Sequence, residues 1–329
     1  MMSTGMNNSS ATSTDRVVVV HHATHPDRDN QFRAIAVSSK FLKANQKMFR
    51  VRCSQCQMSL EKPLKCAKCK SVWYCSKECQ RKNWPTHKPR CHDVERSSGA
   101  LKFIRMFILN PILMGLLKVS IVIDCGLIEN PRIGFDVPFG VRVDIAIEPS
   151  NILNFIELYL NNKSPGEKLQ GMVQVNAMTP WELTPERLNI WREARARHDA
   201  EGFAKDPVGL VDFIDVNCTE DSGNSATAEF HFPRIVLDIA KEREPFLRVS
   251  AITGAEFTEP MTAMACLESL NMHIRADKEN QLYLRTDMTD QDKEVIRAAG
   301  RNEDTCLARI VKEKMQRERI YASIVQLTH

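Results

Sequence analysis

The sequence predicts a small cysteine-rich module ahead of a larger mixed α+β body of unknown topology. Three observations carry that prediction. Four close pairs of cysteine or histidine crowd between Cys53 and Cys91. Val141, Val143, Ile145 and Ile147 alternate with polar or small residues, a period of two that suits a half-buried strand. Helix-start signals recur along the rest of the chain. The strongest is Thr184-Pro185-Glu186, with an N-cap hydroxyl, Pro at the first helical position and an early acid.

Each element follows in chain order. Residues 1–45 read as a mobile polar tail with one apolar run, Val17 to Val20. The module fills about 50–93. Ser97, Ser98 and Gly99 mark a joint before an apolar helical segment at 99–128, which Asn110-Pro111 divides in two. The body, 129–329, opens on the Val141 to Ile147 strand. Ser150 then caps a helix carrying Ile152, Phe155, Ile156 and Tyr159. Met172, Val173 and Val175 predict another strand, and the helix begun at Thr184 runs to about Ala200, before Gly202. Residues 208–216 predict a buried strand and 218–227 a polar loop. Residues 272–285 predict a hairpin around Asp277 to Asn280. Thr289, three residues before Asp292, caps a helix that stops at Gly300, and a last charged helix fills about 303–327.

Composition narrows the class. The 329 residues suffice for about two domains. From Lys40 to Arg105 there are 17 Lys and Arg against 4 Asp and Glu, while the remainder holds 28 against 37, so a basic module is attached to an acidic body. Seven of the eleven cysteines lie between Cys53 and Cys91, and the paired spacing reads as metal binding in a reducing compartment rather than as disulfides. Cys125, Cys218, Cys266 and Cys306 read as small buried side chains. Residues 1–15 lack the apolar core of a signal peptide, so the expectation is an intracellular protein of nucleus or cytoplasm, not a secreted one. Residues 101–128 are apolar, but their longest uncharged stretch, Met106 to Leu117, is too short to span about 30 Å of hydrocarbon. The sequence predicts buried helices in a soluble protein with no membrane partner.

The chemistry lies in the spacing. It runs Cys53-x2-Cys56, nine residues, Cys66-x2-Cys69, five residues, Cys75-x3-Cys79, seven residues, His87-x3-Cys91. A two-residue gap lets a tight turn aim both sulfurs at one ion. A three-residue gap sets its ligands at i and i+4, on one face of a helical turn. Zinc takes four tetrahedral S or N ligands, so four pairs supply two complete, closed shells, which favours structural over catalytic sites. Spacing alone leaves the pairs free to combine sequentially or in alternation. His92 lies off the i, i+4 spacing from His87 and reads as a surface residue.

These residues carry a resemblance. The segment 53–91 resembles a MYND-type zinc finger, most closely along Cys66-Ala67-Lys68-Cys69-Lys70-Ser71-Val72-Trp73-Tyr74-Cys75-Ser76-Lys77-Glu78-Cys79-Gln80 and again at Trp84, His87, Lys88 and Cys91. The resemblance implies an interleaved, cross-brace arrangement of two Zn²⁺ ions: Cys53, Cys56, Cys75 and Cys79 on the first, and Cys66, Cys69, His87 and Cys91 on the second. It further implies protein partners recognised through short proline-rich peptides, with Gln80 and Trp84 in the peptide groove. Trp offers a flat apolar platform to a Pro ring, and Gln can hold backbone groups of an extended peptide. Ala67 stands where peptide-binding members often carry a small polar residue.

Two alternatives follow from the same residues. The basic excess suits a nucleic-acid partner, although the spacing is not that of a finger inserting one recognition helix. An enzyme is the other, because MYND fingers also occur beside SET methyltransferase domains. The SET signature and a phosphate-cradling Gly motif are missing from the chain. The sequence therefore predicts an adaptor without enzymatic activity. His198-Asp199 reads as a solvent-facing part of a charged helix, and Trp181 and Trp191 read as packing residues.

Overall fold

The computed structural model describes residue 38 and residues 51–56, 58–60, 64–69, 72–91, 102–161, 168–215, 225–249 and 254–321. The tail expected at 1–45, apart from Ser38, lies outside the described residues, as do His92, Cys218 and positions 322–327 of the last predicted helix; that helix already ends at Arg317, because Glu318 turns to an extended backbone and a separate turn, Arg319–Tyr321, follows.

The cysteine-rich segment is two small antiparallel ladders and a helix. Strand β1 (Val51–Arg52) pairs with β2 (Ser59–Leu60), and β3 (Leu64–Lys65) pairs with β4 (Trp73–Tyr74). Helix α1 (Lys77–His87) begins at Ser76, whose hydroxyl accepts from the Cys79 N–H at 3.2 Å.

The body is built on a mixed sheet. In chain order its described strands are β5 (Gly140–Pro149), β6 (Gln170–Trp181), β7 (Val208–Asp215), β8 (Ser225–His231) and β11 (Arg285–Asp287), in spatial order β11-β6-β5-β7-β8. The β5–β7 pair is parallel and its neighbours are antiparallel. A separate hairpin joins β9 (Phe246–Val249) to β10 (Glu256–Glu259). The strand expected at 141–147 is present, but it is not half-buried, because Asp144, Ala146 and Glu148 on its other face are covered as well. Val141 and Val143 stand opposite Val211 and Phe213 on β7, and all four are buried.

Helices α2 (Lys102–Ile108) and α3 (Pro111–Asp124) meet at 82°, broken where expected at Asn110, whose side chain accepts from the N–H groups of Ile112 and Leu113. Neither is long and apolar enough alone to cross a membrane. They share one apolar core with α6 (Arg234–Glu242), α7 (Ala263–Ala276) and the sheet, with Phe107 meeting Phe213 edge-on at 5.8 Å. A second core gathers α4 (Ile152–Asn161), α8 (Asp290–Gly300) and α9 (Cys306–Arg317) around Phe155, Leu158, Ile296 and Met315. Gly300 closes that contact: a Cβ there would overlap the carbonyl of Tyr159. Helix α5 (Pro185–Ala200) starts at Thr184 as predicted, and α8 starts in a complete Thr289–Asp292 capping box.

Between the two cores lies a buried ionic cluster. The β5–β6 register shifts between Asp144 and Ile145, leaving Asn176 as an extra residue on β6. From α9, Lys314 reaches Glu148 Oε1 at 2.6 Å and Asn176 Oδ1 at 3.2 Å, and Arg317 donates to the Asn176 carbonyl. Tyr321 donates to Glu148 Oε2 at 2.6 Å, and Arg275 of α7 lies 3.6 Å from the same oxygen. Burial opposes the Glu148 charge, but Lys314 and Arg275 outweigh it and hold the carboxyl below its usual range. Asn271 of α7 uses its amide to accept from and donate to the backbone of Val175, sealing the edge of β6 where β11 stops.

Four further expectations need correction. The hairpin expected at 272–285 is the end of α7 followed by a turn into β11. Buried Cys266, Leu267, Leu270 and Ile274 recur at helical spacing behind the Thr262 N-cap. The expected turn is real, because the Asp277 carboxylate accepts from the N–H groups of Gln281 and Leu282. Asn151, not Ser150, caps α4, its side chain accepting from the Leu153 N–H. Residues 225–227 belong to β8 rather than to a loop. Of the scattered cysteines, Cys266 is buried, Cys125 is half-buried and Cys306 is exposed.

Candidate functional site: a paired metal centre and a body cavity

The finger brings its eight candidate ligands into two groups. The ligand atoms of Cys53, Cys56, Cys75 and Cys79 all lie within 4.8 Å of one another, and so do those of Cys66, Cys69, His87 and Cys91. The first pair in sequence thus joins the third, and the second joins the fourth. A tetrahedral Zn²⁺ with Zn–S of about 2.3 Å sets its sulfurs roughly 3.7 Å apart. Cys56 and Cys75 are 3.6 Å apart, and Cys66 and Cys91 are 3.8 Å apart. His87 points Nε2 at its group, 3.4 Å from Cys66 Sγ and 3.5 Å from Cys69 Sγ. Burial lowers the His87 pKa, which keeps the ring neutral and its lone pair available.

The local fold explains this aim. The Cys53 N–H reaches the Met58 carbonyl and the Cys66 N–H reaches that of Val72, so each ladder folds into a turn under its cysteine pair. At Cys53, burial opposes ionisation, but N–H bonds from Cys56, Cys75 and Gln55 outweigh it and bring the thiol to about 6. Cys91 goes the other way: burial and the neighbouring sulfurs push it up to about 12. Three thiols this close cannot all ionise without a cation among them. The donor set therefore fits a divalent, thiophilic ion, and the two groups fit two zinc ions.

Helix α1 belongs to both groups, giving Cys79 to the first and His87 to the second. Beneath it Tyr74 is fully buried and donates to Asn83 Oδ1. Of the two residues expected in a peptide groove, Gln80 is half-buried and Trp84 is 40% exposed, its ring edge-on to His87 at 5.8 Å.

The body holds a second concavity that the sequence did not announce. A cavity of about 480 Å³ opens between α3, α5 and β8. His198, expected to face solvent, has a side chain only 12% exposed, and its buried Nδ1 has no hydrogen-bond partner. Asp199 is held by Arg195, which also donates to the carbonyls of Gly134, Phe203 and Asp206, so a polar stripe of α5 turns inward. Lys118 and His231 also line the cavity. No local spacing links these residues, so sequence patterning had no signal for them. Trp191 packs as expected, buried with Nε1 donating to the Val208 carbonyl.

Comparison with known proteins adds the family context. The MYND finger model matches residues 53–91. N-lysine methyltransferase SMYD2-B of Danio rerio is 49% identical over 39 residues, 12% of this chain and 9% of the relative. Histone-lysine N-methyltransferase SMYD3 of Homo sapiens is 44% identical over 41 residues, 12% and 10% of the two chains. Zinc finger MYND domain-containing protein 10 homolog of Drosophila melanogaster is 54% identical over 39 residues, 12% and 8%. The chain thus spans about a tenth of the length of these relatives, and no solved structure matches it. The expectation of no enzymatic activity is overturned by these relatives, two of which are lysine methyltransferases. That expectation rested on missing catalytic motifs, and motif absence does not establish inactivity in a body assembled from distant residues. MYND fingers are protein-interaction modules, and the zinc-finger character of 53–91 stands on both the match and the two ligand groups. A further family model, described as a domain of unknown function (DUF8205), matches residues 97–321, more than half of the chain, and it is to this family that the chain belongs.

Proposed function

We propose that the finger holds one zinc on Cys53, Cys56, Cys75 and Cys79 and the other on Cys66, Cys69, His87 and Cys91, and that it presents Gln80 and Trp84 to a short proline-rich peptide of a protein partner inside the cell. One observation carries the peptide reading: Trp84 keeps 40% of its surface exposed while its edge rests on His87. A large apolar ring fixed from behind and open in front is a preorganised platform for a Pro ring. Gln80, four residues earlier on α1, shares its face.

Titration of the full chain with a proline-rich peptide library and with a random duplex, each at two salt concentrations, tests this. The reading expects micromolar peptide binding with a shallow salt slope, weakened about tenfold by Trp84→Ala. A duplex partner would instead lose affinity by about 0.9 in log K per phosphate contact per unit of log salt. A steep duplex slope without a peptide hit would replace the adaptor reading by nucleic-acid binding.

A catalytic role is the second reading, favoured by the lysine methyltransferases among the finger's relatives. Zinc-loaded full chain, a histone substrate and a labelled methyl donor decide it, with label transfer as the supporting outcome.

A further inference from the structure

We infer that the cavity between α3, α5 and β8 is a binding site for a small organic carboxylate with an apolar body, its charge taken by Lys118. The walls are mixed in a way that suits such a ligand. Met114, Phe203 and Phe230 give apolar surface, while Lys118, His198 and His231 bring polar atoms to the same space.

Charge accounting singles out Lys118. Glu229 is paired with Arg197, and Asp206 accepts from His231 Nδ1 at 2.9 Å. Glu201 stands at the rim, 48% exposed and 3.8 Å from His198 Nδ1. Lys118, by contrast, makes no ion pair among the described residues. Its ammonium lies over the Phe230 ring, 5.5 Å from the centroid. Burial pulls its pKa down to about 8, with Asp206 a weaker opposing influence, so water does not compensate this charge fully.

His198 lines the cavity as well, and burial, followed by His231, lowers its ring's pKa, so it adds no second positive charge beside Lys118. One unpaired cation matches a single negative charge. A phosphate dianion would bring more charge than Lys118 neutralises and would face the Glu229 and Glu201 carboxylates. The volume, about 480 Å³, lies within the usual range for a small-molecule site.

The test is calorimetric titration of the full zinc-loaded chain with 4-phenylbutyrate, with its neutral counterpart 4-phenylbutanol and with inorganic phosphate. The carboxylate should bind about tenfold more tightly than the alcohol, the scale of one charge-assisted hydrogen bond in a dry site. Lys118→Met should remove that preference while leaving alcohol binding in place, and Lys118→Arg should retain it. Circular dichroism establishes that each variant is folded. Equal binding of acid and alcohol, or an unchanged preference in folded Lys118→Met, would overturn the inference. Tighter binding of phosphate than of the carboxylate would overturn the ligand class.

Discussion

In the finger, ligand atoms stand in for a core: eight of them converge within two groups, the second buried throughout and the first reaching the surface at Cys56, and among the described residues Val72 and Tyr74 are the buried side chains beside them that are not ligands. The body buries charge too, and in one such cluster Lys314, Arg275 and Tyr321 converge on Glu148. The finger owes its fold to ions from outside the chain. The body supplies both signs of charge itself and surrounds them with hydrocarbon. One region therefore responds to metal supply, and the other to the integrity of pairs built from distant residues.

The largest effect that sharpens this contrast is metal removal. Zinc binding contributes on the order of 10–16 kcal/mol per site in small fingers. A strong chelator should therefore unfold 53–91 and leave most body helicity, as followed by circular dichroism and by exchange of backbone amides. Loss of body structure in parallel would break the comparison. Next comes Lys314→Met, which strands the Glu148 carboxylate in the interior and should cost about 3–5 kcal/mol in denaturant unfolding of the body. Pairing it with Glu148→Gln should recover part of that loss, because the uncompensated charge is gone. Gly300→Ala comes third. A methyl against the Tyr159 carbonyl should cost about 1–3 kcal/mol by forcing α8 off α4, with zinc content unchanged.

The smallest effect has the opposite sign. Lys118 has a folded pKa of about 8, below its ordinary 10.5. Below pH 8 it is charged in both states, and its burial penalty is fully present. Between about 8 and 10.5 the unfolded chain holds the proton that the folded chain has released, so stability rises with pH across that window. Lys118→Met should thus raise the melting temperature at neutral pH by a few degrees, and the gain should shrink as pH approaches 10.5. A variant that is destabilised at pH 7 would show that the ammonium is compensated within the fold.

How far the sequence could be read follows the same divide. The finger was legible because ligand pairs lie within four residues of each other, and local spacing is what a sequence displays. The strands at 141–147 and 172–175 and the caps at Thr184 and Thr289 were legible for that reason as well. The Glu148–Lys314 pair spans 166 positions, and no periodicity points across such a gap. Helix α7 was hidden behind its own exit: the turn at Asp277 to Asn280, with Asn280 in the left-handed region, drew attention from the helical spacing before it. The inward turn of α5 was opaque because Arg195 looks like a surface residue until three carbonyls from two separate loops close around it.

One feature of the finger extends beyond its own geometry. Cys79 and His87 sit eight residues apart on α1, about 12 Å along a helix axis, and each faces a different ligand group. The helix is a strut shared by both ions, so either ion alone would have to order α1 without the anchor at its far end. Half-loaded fingers should then be the least populated species and metal uptake cooperative, which a metal titration followed by native mass spectrometry checks. The exposed Trp84 face of α1 should then be ordered in an on–off manner with zinc supply, with little graded response between.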